Sequence, residues 1–307
     1  MDQAEWKLLK EIAELEKTPQ GAYNIRRNGA LDSRNSTANI EITTKTEPGK
    51  SGIDIRIKPG TRHESVHIPV IISQTGLSEM VYNDFFIGED CDVDIVAGCG
   101  IHNTGCETSQ HDGVHTFYVG KNSKVRYTEK HYGEGSGDGE RILNPQTIVY
   151  LEEGASIELE TVQIKGVDST KRYTRVECGA NAEAVVTERL LTHGKQFAES
   201  RMDVVLNGEG SRTQVVSRSV AQDESVQIFY PQVEGNAACF GHVQCDSIIM
   251  GSAKVSSIPA IVANHMDAQL IHEAAIGKIA GDQILKLMTL GLTEEEAEQK
   301  ILDGFLR

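Results

Sequence analysis

FIGEDCDVDIV (86–96), YVGKNSKVRYT (118–128), YLEEGASIELE (150–160), VECGANAEAVV (176–186) and VLNGEGSRTQV (205–215) can be laid under one another. Each is an apolar strand end, a polar turn with Gly or Asn, a small residue and then an alternating strand. KPGTRHESVHI (58–68), QVEGNAACFGH (232–242) and IVANHMDAQLI (261–271) extend the set in both directions. The turns recur about every 26–32 residues, the interval of a solenoid whose repeat is one coil. The whole span from about 38 to 275 alternates short β-rich runs with Gly, Asn and Asp, leaving no helix-length gap. A mainly β, parallel β-helix is expected, with coils stacked about 4.8 Å apart around Val, Ile, Leu and Ala. An antiparallel sandwich is the rival, because its strands recur at 8–12 residues with similar turns; the long repeat favours the helix.

Outside that core the pattern is helical. Residues 4–17 carry Trp6, Leu9, Ile12 and Ala13 on one stripe, with Pro19 and Gly21 beyond as stops. Asp282–Met288 forms a second helix ended by Gly291, and Thr293 with Glu296 is a capping box opening a third that runs through Leu302. Three zones follow: an N-terminal helical segment (1–37), the β-helix core (38–275) and a C-terminal helical segment (276–307). The helical ends suit the capping of open solenoid ends, or the docking of a partner. The Gly- and acid-rich stretch 131–140 is expected to interrupt one coil as a mobile loop.

Of 307 residues, 30 are Lys or Arg and 45 Asp or Glu, a formal net charge of −15. That balance argues against a nucleic-acid partner, which needs clustered cations. Arg26-Arg27 and Lys171-Arg172 are isolated pairs, expected on the solvated surface. No apolar run approaches a membrane span and the first residues are charged throughout, so a cytoplasmic protein is expected. The six cysteines, Cys91, Cys99, Cys106, Cys178, Cys239 and Cys245, include no CxxC and are expected to be thiols. GxxxxGK[ST] and HExxH are absent, so neither a phosphate cradle nor a zincin is supported.

Soft and ionisable ligand types concentrate in 241–279. Cys245 and His272 are 27 residues apart, close to one coil, so stacked strands would make them neighbours able to share a metal or a sulfur species. Glu273 adds a harder oxygen ligand, yet adjacent strand residues point to opposite faces, so His272 and Glu273 cannot both reach Cys245 from mid-strand. Unliganded side chains explain the same spacing. A second cluster, Cys99, His102, Cys106, His111 and His115, lacks any zinc-finger spacing and is equally explained by turn polarity. His63 and His67 receive no role.

HVQCDSIIMG (242–251) and SSIPAIVANHMDAQLIHEAAIGKIAGDQILKLMTLGLTEEEAEQKILDGF (256–305) resemble the SufB/SufD family, scaffold components of the SUF iron–sulfur cluster assembly system. Weaker likeness extends through SKVRYTEKHY and IVAGCG to about residue 70, and NIRRNG is compatible. The resemblance implies a right-handed parallel β-helix that pairs with a second scaffold chain, C-terminal helices that engage a SufC-type ABC ATPase, and a nascent iron–sulfur cluster at the scaffold interface. It further implies a sulfur donor protein, apo iron–sulfur proteins as acceptors, no nucleotide on this chain and no enzymatic activity of its own. By position, Cys245 matches the cysteine that accepts sulfur and binds the cluster, with His272 and Glu273 at the same site. Cys99 matches an interior cysteine associated with sulfur transfer. His131 stands about where relatives carry glutamine, and the chain ends soon after GFLR, where many relatives continue. QCDS and HEA together favour SufB over SufD, hence a minimal homodimeric scaffold. A structural paralogue that never touches iron and a carbohydrate-active β-helix are the alternatives; −15 weakens the latter, because an acidic surface repels an acidic polymer.

Overall fold

The computed structural model describes residues 1–306 and is a β-solenoid of about eight turns. Two sheets, of ten and eleven strands, form its walls, and each coil contributes to both as successive strands alternate between them. Register defines the repeat: Val93 pairs in parallel with Val125, Val125 with Ile157, Ile157 with Ala184, Ala184 with Thr213, Thr213 with Gly241 and Gly241 with Leu270. The 27–32 residue steps match the turn repeat, and the sandwich is excluded because these pairings are parallel. Inward positions carry Val, Ile, Leu and Ala, with Phe85 stacked on Phe117 at 4.3 Å between ring centroids. The six cysteines are free thiols, and only Cys106 is exposed.

Antiparallel pairing occurs at the N-terminal end. Ala22–Arg27 pairs with Ala30–Asn35 in one sheet, and Ile40–Thr44 with Gly52–Ile57 in the other. Ala22–Arg27 and Ala30–Asn35, within the segment expected to be helical, are therefore strands, and two hairpins, rather than a helix, close this end.

Helix α1 (Gln3–Ala13) is shorter than expected and lies elsewhere. Asp2 and Glu5 form its capping box, and Glu14 adopts a left-handed φ of 56°, turning Leu15 back so that its N–H reaches Leu9 O. Leu8, Leu9 and Ile12 pack on the outer face of a wall, against Ile71 and Tyr132. Gly98 permits that approach, since a Cβ there would stand 2.7 Å from Ile12 O. α1 is thus a flank cover, and the expectation of an end cap is corrected.

The stretch 131–140 also differs. His131–Glu134 ends the strand Lys124–Glu134, and Gly135, Gly137 and Gly139 lie so close on the backbone of Asn103, Gly105 and Glu107 that no side chain fits. This is a turn stacked on the preceding coil, not a protruding loop. At the other end α2 (Gly281–Met288) packs on α3 (Glu294–Phe305), whose Thr293–Glu296 capping box forms as expected. No helix among the described residues is long and apolar enough to cross a membrane.

Candidate functional site

Strand Phe240–Ile249 alternates, so Gly241, Val243 and Cys245 point inward while His242 and Gln244 point outward. Strand Gln269–Gly277 stacks beside it, pairing Val243 with His272 and Cys245 with Ala274. Cys245 and His272 therefore share the inner face on a diagonal, and Cys245 Sγ lies 3.4 Å from His272 Nε2. Burial pushes the Cys245 thiol up to about 11, against the Ser257 hydroxyl, which draws it down. Burial, together with the nearby His242, lowers His272, so it is neutral near pH 7 and able to accept a proton. At rest the pair is a thiol beside an imidazole base. A metal ion or an electrophilic sulfur would convert it to thiolate.

Glu273 stands apart. It faces outward and its Oε1 lies 3.2 Å from His242 Nε2. The structure thus brings Cys245 and His272 together but not Glu273, for the strand-alternation reason anticipated above. No three His, Cys, Asp or Glu side chains among the described residues gather closely enough to hold a metal ion.

The Cys245–His272 pair sits at the C-terminal mouth of the solenoid. Among the described residues no further coil stacks on the last one, and Ile258, Ile261, Ile271 and Ile276 are exposed there, with Met266 93% accessible. Unpaired strand edges and exposed aliphatic side chains together form a surface that invites pairing.

Cys99 lies inside the opposite half, 2% exposed, with His131 as its lateral neighbour. His111 and His115 face the same small cavity across Gly113. His102 points outward to Glu134 and Cys106 is exposed, so the expected five-residue cluster divides into Cys99, His111 and His115 inside and two residues outside. Burial, with Glu79 and Glu129 nearby, pushes the Cys99 thiol well above its ordinary value.

A buried polar column lies between the two cysteines, ending at their strand neighbours His131 and Ser217. His115 Nδ1 lies 2.6 Å from Tyr127 Oη, which donates to Glu129 Oε1 at 3.1 Å. Arg172 Nη1 donates to Glu129 Oε2 at 2.5 Å, and its Nη2 lies 3.2 Å from His131 Nδ1. Arg172 also approaches Glu188 at 3.8 Å, and Glu188 accepts from Ser200 and Ser217. Ser217 is the lateral neighbour of Cys245. Two water-sized gaps, each about 10 Å³, lie along this route, one beside Cys99 and one beside Arg172 and Glu188. Burial alone would raise the Glu129 carboxyl, but Arg172, with His131 and His115, holds it well below the usual carboxylate range.

Arg172 overturns an expectation: read as half of a surface dipeptide, it is 6% exposed. The signal was present, because alternation along Ser169–Cys178 sends Lys171 outward and Arg172 inward. Glu129 and Glu188 were missed too, being polar residues at inward positions that spacing alone does not distinguish from outward ones.

The family model described as "SUF system FeS cluster assembly, SufBD core domain" matches residues 74–305. An iron–sulfur cluster assembly SufBD family protein of Methanocaldococcus jannaschii is 29% identical over 271 residues, covering 87% of this chain and 84% of that relative. One from Archaeoglobus fulgidus is 29% identical over 261 residues, covering 83% and 68%. One from Methanothermobacter thermautotrophicus is 28% identical over 289 residues, covering 90% and 67%. With a solenoid that places the QCDS cysteine against the HEA histidine, and a family match over most of its length, the chain belongs to the SufBD family of iron–sulfur cluster assembly proteins.

Proposed function

We propose that this chain is a SUF scaffold on which a nascent iron–sulfur cluster is assembled at Cys245 and His272, as cargo to be passed to apo iron–sulfur proteins. The observation that carries the reading is the 3.4 Å Cys245–His272 pair at the uncovered mouth of the solenoid. A thiolate and an imidazole suit iron. Two ligands from one chain leave the site incomplete and labile, and a second copy seated on the exposed aliphatic mouth supplies the rest. Glu273, on the outer face of the same strand, joins the cluster only from a neighbouring position in that homodimer.

Sulfur from a donor protein reaches Cys245 by way of Cys99, and the polar column between them supports that route with exchangeable protons and hydrogen-bond partners. The scaffold is non-enzymatic and holds no nucleotide. A SufC-type ABC ATPase docks on α2 and α3, where Leu285 and Leu290 are exposed, and its closure shears the dimer to open the mouth. The setting is cytoplasmic.

The outward turn of Glu273 favours one second reading, a SufD-like paralogue that stabilises a complex without binding iron. Anaerobic addition of ferrous iron and sulfide separates the two. A scaffold develops visible sulfide-to-iron absorption in the wild type and not in Cys245→Ala; equal colour in both, or in neither, contradicts the proposal.

A further inference from the structure

At the N-terminal end, between the two hairpins, a cavity of about 250 Å³ is lined by three cationic side chains, Arg26, Arg34 and Lys45, and by no carboxylate. In a chain of net charge −15 that is an inversion of the average surface. Two of the cations are already paired with carboxylates. Arg26 Nε donates to Glu79 Oε2 at 2.8 Å, and Lys45 Nζ donates to Asp54 and Asp84, each at 2.6 Å.

Arg34 is different. Its Nε donates to Asn24 Oδ1 at 2.8 Å and its Nη1 to Thr44 Oγ1 at 2.9 Å, both neutral acceptors. The remaining N–H groups of the fork have no protein acceptor, and no carboxylate pairs with it among the described residues. A half-buried guanidinium without a counter-charge is costly, and the cost is relieved by an anion. The room available exceeds several waters.

The cavity adjoins the Cys99 chamber. Ile68 and Val70 line both spaces. Asn83 lines the cationic cavity and lies 3.1 Å from His115 Nε2, while Arg26, through Glu79, is linked to His111 at 3.1 Å. Two of the three imidazoles lining the Cys99 chamber, His111 and His115, are thus each tied to the wall of the cationic cavity.

We propose that this cavity binds a small sulfur-bearing anion and is the antechamber through which such an anion reaches Cys99. The assignment rests on the scaffold reading for its choice of sulfur; the anion site itself rests on Arg34. The site selects monovalent or divalent anions of a few heavy atoms, held by the Arg34 fork with the Ser51 and Thr44 hydroxyls beside it.

Titration calorimetry of the full chain with thiosulfate, at constant ionic strength in chloride, reads the binding. The wild type shows saturable binding, weakened about tenfold or more in Arg34→Gln, the worth of one charge-assisted hydrogen bond. Arg126→Gln, removing an outer-face cation paired with Asp92 and Asp94, leaves the affinity unchanged. Arg34→Lys, which keeps the charge and loses the fork, lies between. No saturable binding, or equal binding in Arg34→Gln, overturns the site.

Passage is read with inorganic polysulfide and peptide mass spectrometry. The Cys99 sulfur bonds to a terminal polysulfide sulfur, the adjacent S–S bond breaks, and the shortened polysulfide leaves with the electron pair and the thiol proton. Loading of Cys99 slows at least about fivefold in Arg34→Gln, a barrier change of about 1 kcal/mol, while loading of exposed Cys106 does not change. Equal slowing at both cysteines, or at neither, overturns the antechamber. A Cys245→Ala chain that holds no less iron than the wild type yet still binds thiosulfate would defeat the scaffold reading and leave the anion site standing.

Discussion

Arg172→Met cuts the polar column at its centre. Arg172 and Glu129 are 6% and 3% exposed, with Arg172 Nη1 2.5 Å from Glu129 Oε2 and Glu188 on its other side. Met preserves much of the stem's packing and removes the charge, leaving two buried carboxylates without a cation. Breaking a buried pair from one side costs about 3–5 kcal/mol, because the surviving charge stays desolvated, whereas removing both partners costs far less. Arg172→Met/Glu129→Gln is therefore more stable than Arg172→Met alone.

The pH dependence of the loss carries a sign. In the wild type the Glu129 carboxyl lies well below its ordinary value. Its stabilisation is present above the unfolded carboxyl value of about 4.3 and is lost as pH falls through the depressed folded value. Without Arg172, burial raises the same carboxyl above its unfolded value, and protonation relieves the penalty as pH falls. The difference between variant and wild type should thus shrink from pH 8 to pH 5. Urea denaturation followed by far-ultraviolet circular dichroism at both pH values measures it. A loss below about 1 kcal/mol at pH 8, or one that grows toward pH 5, would refute the account of the column.

Three further outcomes are expected. Burial pushes His115 down to about 4, so the unfolded chain takes the proton first and stability falls by about 3 kcal/mol as pH drops from about 6.5 to about 4; urea midpoints against pH should show a shallower fall in His115→Gln. Gly98→Val drives a side chain into Ile12 and the Lys130 backbone, lifting α1 at about 2–3 kcal/mol, which the fluorescence of Trp6, the single tryptophan, reports. Ile261→Asp at the solenoid mouth should convert a dimer to monomer by sedimentation velocity, with the circular dichroism spectrum unchanged.

The coil repeat was legible because every turn must supply a Gly or Asn and a small residue where one coil packs on the next, and those constraints recur in sequence. Cys245 and His272 were legible for the same reason: 27 residues is one coil, so the spacing carries their contact. What one chain position cannot reveal is which face of the wall it occupies when both faces hold polar groups. Arg172 looked like surface beside Lys171 until register set the inner column, and nothing singled out Glu129 from its polar neighbours. The N-terminal helix showed its apolar stripe but not its target, since the bare outer face it covers is made by Gly98 and Gly100, residues with no pattern of their own. Arg34 was invisible for a related reason: its lack of a counter-charge is a property of two hairpins meeting, not of any segment.

The central claim is that cargo iron is held at Cys245. Iron and acid-labile sulfide measured on anaerobically purified wild type, Cys245→Ala and Cys178→Ala test it most directly, Cys178 being a buried thiol of the solenoid wall with no imidazole partner among the described residues. Iron and sulfide present together in the wild type and in Cys178→Ala, and lost from Cys245→Ala, is the predicted result. Retention of both in Cys245→Ala would contradict it.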